Sequence, residues 1–184
     1  MTMLRSIAPG DAAVIAAMHA ASWRSAYRGI LRDDFLDGAL ESVHRDLWAQ
    51  RLAARPAVGY GFVALVDESP VGFAFAFDAV DPRWGTQLDN LHVLPHGRGK
   101  GLGRALLSCV CEVAQRRAPG SGIFLWVYER NTLARAFYER LGARAVERKS
   151  GEAPGGGVVP KWRYAWSDAG HVVANVTKGA SPCE

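Results

Sequence analysis

Apolar and polar positions divide the chain into a succession of short elements. Residues 3–8 alternate weakly and predict a first strand, after which Pro9-Gly10-Asp11 opens a helix with Asp11 as its N-cap. From Ala12 to about Tyr27, Val14, Ile15, Met18, Ala21 and Trp23 recur at helical spacing. A second helix is expected over residues 40–54, with Val43, Leu47 and Leu52 on its apolar face. Residues 59–66 and 71–77 flank the turn Asp67-Glu68-Ser69-Pro70 and predict an antiparallel hairpin. The stretch 78–86 is expected to be a loop, followed by a strand over 87–94 that Pro95 ends. Over 101–118, Leu102, Ala105, Leu106, Cys109, Val110 and Val113 form one helical stripe. The apolar run 123–127 suits a strand covered on both faces. Asn131 can cap a helix reaching Leu141, with Gly142 just past its end. Residues 144–148 and 158–166 predict two last strands around a flexible loop over 150–157, and 168–184 reads as a loosely held tail.

This order predicts an α/β (α+β) fold: one domain over 1–167, with a mixed sheet of about seven strands and helices packed on it. With 184 residues, 49% hydrophobic and 22% charged, the composition is that of an ordinary globular chain rather than a disordered one. No apolar run approaches the roughly 20 residues of a membrane span, and the opening residues lack a leader's apolar stretch, so a cytoplasmic protein is expected. The net charge of +4 suits the holding of an anion and is too small to argue for nucleic acid. Cys109, Cys111 and Cys183 have no His/Cys cluster around them, which favours buried or incidental thiols over a metal site.

The chemistry concentrates after the fourth strand, in Pro95-His96-Gly97-Arg98-Gly99-Lys100-Gly101-Leu102-Gly103-Arg104. A helix start leaves about four N–H groups unpaired and carries roughly half a positive charge. Glycines ahead of it let a ligand approach the backbone, and Arg98, Lys100 and Arg104 add three cations, so the segment is built for a phosphate or pyrophosphate. A Walker loop needs Ser or Thr after its Lys, whereas Lys100 precedes Gly101, and the GxGxxG fingerprint has no match in any register. What remains is Arg-x-x-Gly-x-Gly as Arg98, Gly101 and Gly103, behind the strand LDNLHVLP. This resembles the acyl-CoA loop of the GNAT (GCN5-related) N-acetyltransferase superfamily. Asn131, Ala134, Phe137 and Tyr138 resemble that family's second signature, and residues 22–31 are similar to the acceptor-side helices of many members. Together these cover most of residues 3–166.

The resemblance implies a single GNAT-like domain, helices on both faces of the sheet, strands four and five splayed, and acetyl-CoA as cosubstrate with coenzyme A as product. It implies main-chain contacts to pantetheine from Leu91, His92 and Val93, and a pyrophosphate held by the amides of Arg98, Gly99, Lys100, Gly101, Leu102, Gly103 and Arg104. Asn131, with Ala134 and Phe137, would steady the cofactor arm, and Tyr138 would face the sulfur as general acid. Read on its own, Asn131 is equally a helix cap, and Tyr138 falls on a core-like face with Ala134, Phe137 and Leu141. The implied activity is transfer of an acetyl group to a primary amine by direct attack, the acceptor being a small molecule or a peptide. A non-catalytic acyl-CoA sensor is the alternative; a homodimer is reasonable, and neither nucleic acid, membrane nor metal is called for.

An amine of pKa about 10.4 is nucleophilic in only about one molecule per thousand at pH 7.4, a handicap of roughly 4 kcal/mol. A base must absorb it, or the acceptor must have a low pKa. Many relatives carry a Glu early in the fourth strand, where this chain has Gln87. Asp89 and His92 are the candidate bases, but their odd spacing in a regular strand puts them on opposite faces. A water relay is the other possibility, and His96 is expected at the surface. Trp23, Tyr27, Arg28, Asp33, Phe35 and Trp84 are the candidate acceptor-pocket residues. Asp33 and Asp34 would attract a cationic amine or form a solvated turn, Trp23 would wall the pocket or join the core, and residues 151–157 would be a lid or plain filler.

Overall fold

The computed structural model describes residues 1–54 and 59–176, with the side chains of 174–176 left aside. Seven strands form one sheet: β1 (Thr2–Ser6), β2 (Tyr60–Val66), β3 (Ser69–Asp81), β4 (Gly85–Val93), β5 (Ile123–Tyr128), β6 (Arg144–Glu152) and β7 (Val158–Trp166). Their order is β1-β2-β3-β4-β5-β7-β6, with only β4 and β5 parallel. The helices are α1 (Ala12–Ala26), α2 (Asp33–Asp37), α3 (Leu40–Ala53), α4 (Leu102–Arg117), α5 (Thr132–Arg140) and α6 (Ala169–Val176). None of them is long and apolar enough to cross a membrane.

Helices cover both faces of the sheet. On one, Ile15 and Met18 of α1 and Trp48 of α3 close over Val63, Phe73 and Phe75. On the other, the stripe Leu102, Leu106, Cys109 and Val110 packs on Ala74, Ala76, Ile123 and Leu125, as its helical spacing predicts.

The two front helices are rotated from the expected faces. Helix α1 buries Ile15, Met18, His19 and Ser22, leaving Ala21 exposed. Helix α3 buries Leu40, His44 and Trp48, while Val43 is 50% exposed. Burying the Trp48 ring outweighs burying a valine, and the same rotation carries His44 onto His19.

Three segments depart from the sequence reading. The expected loop 78–86 is mostly strand, because β3 and β4 continue to a tight end where Asp81 Oδ1 accepts from the amides of Arg83 and Trp84. The expected loop 150–157 shrinks to a turn closed by the Ala153 amide donating to Gly157 O. Gly155 lies against the Phe35 ring, and Ala153 joins Leu31, Leu36 and Leu40 in a third cluster, so the hairpin tip is docked on α2. The expected loose tail begins as helix α6, whose Ala169 and Val172 are fully buried with the α4 core; the tail's remaining residues, 177–184, lie outside the described ones. Of the α4 cysteines, Cys111 is a buried free thiol, whereas Cys109 is disulfide-bonded, where a thiol was expected.

Candidate active site

The sheet opens between β4 and β5. Only Thr86 and Gln87 of β4 pair with β5, opposite Ile123 and Phe124, while β4 goes on pairing with β3 up to Val93. From Leu88 to Val93 the β5-facing edge of β4 therefore has no strand beside it among the described residues. Edge amides and carbonyls left this way are templates for an extended partner. Leu91 and Val93 stand on this edge and turn their side chains toward the α4 core.

At the end of that opening the chain turns into α4. Gly99 and Gly101 both adopt φ +77°, a left-handed backbone that other residues reach only at a cost, and a Cβ at either would meet nothing within 4 Å. These glycines are thus demanded by backbone conformation and leave the approach to the backbone clear. The helix ladder begins with the Ala105 amide donating to Gly101 O at 3.0 Å, so the amides just before it face outward at the positive end of the helix dipole. Arg98 donates to Val93 O at 3.1 Å and to Ser25 Oγ at 3.4 Å, bracing the turn against α1. Gly103 sits 3.5 Å from the Phe137 ring, as measured from the position a Cβ would occupy, which ties the start of α4 to α5. His96 is exposed on the turn.

In α5, Asn131 Oδ1 accepts from the Ala134 amide at 3.3 Å, so its cap role is met. Tyr138 is 8% exposed, edge-on to Phe137 and to Trp166. Burial raises its phenol well above the usual tyrosine range, which keeps the proton on it. The Tyr27 phenol is likewise raised, by burial first and then by Tyr128, Tyr138 and Asp89 nearby, so these groups converge on one region.

Tyr27, Tyr128 and Asp89 line a cavity of about 210 Å³ together with Trp23, Gln87, Leu88, Asn90, His92, Trp126 and Lys161, whereas Tyr138 is packed in the α4-side core and is not among its lining residues. Asp89 and His92 therefore share one space, contrary to the expectation of opposite faces. The cause is a β-bulge: Asn90 pairs with Phe75 and Leu88 with Ala76, leaving Asp89 as the extra residue. The inserted residue breaks the period of two, and both side chains reach the α1–α3 side.

Neither group is well set up as a base. Asp89 Oδ2 accepts from Arg51 Nη1 at 2.8 Å, and Gln87 donates to its other oxygen at 3.4 Å. His92 Nδ1 is 2.9 Å from Ser22 Oγ, and burial, with His44 and Arg98 adding to it, lowers its pKa to about 3. Behind it, His19 stacks on His44 with ring centres 3.8 Å apart and takes a hydrogen bond from Trp48 Nε1 at 3.1 Å. Burial lowers His44 to about 4 and lowers His19 further still, with His92 and His44 contributing. Among the described residues, no group of three or more His, Cys, Asp or Glu is arranged to hold a metal.

The acceptor-side candidates separate into two sets. Trp23 and Tyr27 line the cavity, their rings 5.3 Å apart, and Tyr27 meets Tyr128 edge-on at 5.1 Å. Phe35 stands behind Trp23, holding the β6–β7 tip. Arg28, Asp33 and Trp84 do not reach the cavity. Arg28 is engaged with Asp33 and Asp37 at the surface, and Asp34 with Arg32, so this acidic pair is a solvated, self-neutralised turn. Trp84 sits at the far end of β4 under Arg83. Trp126, Tyr128, Asn90 and Lys161 were missed. The alternation of Phe124, Trp126 and Tyr128 with aliphatic residues along β5 was the available signal, since it puts three aromatic rings on one face of the strand.

A seven-stranded sheet parted at its one parallel pair, with a glycine turn and helix start at the mouth, is the architecture that the resemblance to the GNAT superfamily implied. The sequence model of the Acetyltransferase (GNAT) family matches residues 21–143, and the chain belongs to that family. A "Probable N-acetyltransferase" of Mycobacterium tuberculosis is 31% identical over 141 residues, 74% of this chain and 76% of the relative. Among solved structures, the PaiA N-acetyltransferase of Thermoplasma acidophilum, in complex with coenzyme A, superposes with TM-score 0.69 at 15% identity, covering 88% of this chain and 98% of that one. A probable acetyltransferase of Staphylococcus epidermidis superposes with TM-score 0.71 at 15% identity, covering 91% and 99%. At these identities the two structures bear on the fold alone.

Proposed function

We propose that this protein moves the acetyl group of acetyl-CoA to a primary amine by direct attack, without a covalent enzyme intermediate. The observation that carries the reading is the junction of the parted β4–β5 edge, the left-handed glycines at the start of α4, and the cavity reached from the same opening. The family's cosubstrate supplies an activated thioester. The residues present fit it: the free edge at Leu91 and Val93 suits the amides of pantetheine, and the open backbone from Arg98 to Arg104 suits a diphosphate. Phe137 of α5 packs against Gly103 at the start of α4, and Asn131 fixes the start of α5 by accepting from the Ala134 amide. Tyr138 holds the proton that the departing thiolate takes up. Cys111, a buried thiol in α4 raised far above its usual range by that burial, has no part as nucleophile.

With purified protein, calorimetry should detect coenzyme A binding, and a panel of amines should release free thiol from acetyl-CoA. Binding with no release from any amine would leave a sensor and end the transferase reading. Gly101→Val forces a β-branched residue into a left-handed conformation, at about 1–3 kcal/mol, and places methyls where the backbone must be approached. It should weaken coenzyme A at least tenfold by calorimetry, and unchanged affinity would move the diphosphate elsewhere.

The proton balance predicts the pH dependence. A His92 of pKa about 3 accepts a proton poorly at neutral pH, and Asp89 is committed to Arg51. The acceptor must then react from its own neutral fraction, passing its proton to water. Below the acceptor's pKa that fraction changes tenfold per pH unit. At fixed subsaturating acceptor, log kcat/KM should rise with unit slope up to that pKa, and the break should move with the acceptor. A fixed break near pH 6–7 across acceptors would point to an enzyme base.

A further inference from the structure

The proposed reaction leaves one charged side chain of the cavity lining without work: Lys161. Its strand partner is Tyr128, and it lines the acceptor cavity with its ammonium 5.5 Å from the centre of the Trp126 ring. Lys149, its neighbour across β6 and β7, places its own ammonium 3.9 Å from the same ring. Burial and the neighbouring Lys149 both pull the Lys161 ammonium toward losing its proton. Other charges near the cavity are neutralised in pairs: Arg51 with Asp89, Arg163 with Asp81 and Glu147, and Arg148 with Glu129. Among the described residues neither lysine has a carboxylate within 4.0 Å. Two ammonium groups without a carboxylate partner thus stand at one Trp126 ring, Lys161 in the cavity lining and Lys149 on the exposed strand beside it; they repel each other and any cationic guest, and are relieved by an anion.

We infer that the acceptor is a small amine that also carries a carboxylate, seated with its carboxylate on Lys161 and Lys149 beside Trp126 and its amine toward Asp89 and His92. This rests on the transferase reading above and narrows its substrate class. A polyamine meets the wrong sign: the one lining carboxylate, Asp89, is already held by Arg51, and the wall opposite is cationic.

The test uses phenylalanine, phenethylamine (the same amine without the carboxylate) and spermidine. Thiol release should favour phenylalanine over phenethylamine at least tenfold in kcat/KM, with spermidine poorest. Lys161→Met should bring that preference within threefold by raising KM for phenylalanine, and Lys161→Arg should keep it. Coenzyme A affinity within twofold of the parent certifies that each variant is folded; if Lys161→Met fails this, Lys149→Met, on the exposed rim, must lower the preference instead. Thiol release that favours phenethylamine or spermidine overturns the inference and leaves the transferase intact. A preference for phenylalanine that survives Lys161→Met overturns it too. Where no amine is turned over, phenylalanine binding to the coenzyme A-saturated protein, lost in Lys161→Met, would keep the anion site while the transferase reading fell; no binding ends both.

Discussion

Tyr138→Phe should lower kcat for thiol release about a hundredfold while coenzyme A affinity stays within twofold. The substitution removes one oxygen from a residue that packs edge-on to Phe137 and Trp166, so the apolar contacts of α5 survive. What is lost is the proton. A leaving thiolate resembles a cysteine of pKa about 8.5 and departs more readily when protonated, and a positioned acid typically contributes 10²–10⁴-fold. Burial lifts the Tyr138 phenol above its ordinary value, so it stays protonated throughout the working range; on the proposed mechanism it gives up that proton only to the negative charge that develops on the departing sulfur. Because the effect belongs to the chemical step, kcat and kcat/KM should fall together. A variant with full kcat would return Tyr138 to the role of core residue.

Acid should destabilise the fold sharply and early. His19 and His44 are buried and stacked, with His92 at the cavity wall 4.9 Å from His19, and desolvation holds all three neutral. Their folded pKa values lie below the unfolded value of about 6.5. The unfolded chain therefore binds more protons as pH falls, and stability present above pH 6.5 is lost progressively down to about pH 3–4. At pH 5 each such histidine costs about 2 kcal/mol, so the three together remove several kcal/mol from a domain worth roughly 5–15. Urea midpoints should drop markedly between pH 7 and pH 5, and His44→Phe, which keeps a stacked ring and removes the titration, should flatten that slope. A midpoint independent of pH over this range would mean that water reaches the cluster.

The order of the elements and the glycine turn were legible in the sequence because their signals are local. The α4 stripe, the strand IFLWV, the caps at Asn131 and Gly142 and the run Gly97 to Gly103 each depend on residues within two or three turns of one another. The faces of α1 and α3 were not legible. By hydropathy Val43 and Ala21 suit an apolar face better than His44 and His19 do, and only Trp48, packing on Phe73 and Phe75 from another part of the chain, settled the rotation. Polar residues so buried look exposed to any local rule. The same limit applies to Trp126, Tyr128 and Lys161, which enter the cavity from strands that reach it through the β5–β7 pairing.

By itself the sequence determined that this is one mixed-sheet domain with a glycine-rich, cationic turn into a helix after its fourth strand, since period, glycine conformation and helix caps are short-range physics. Tertiary structure alone decided what faces the reaction. One extra residue in β4, opposite Phe75 and Ala76, turned Asp89 and His92 into the same space, and the docking of α1 and α3 buried two more neutral imidazoles, His19 and His44, behind it. The register of a strand is set by its neighbours and the burial of a ring by what closes over it, and both partners lie tens of residues away along the chain.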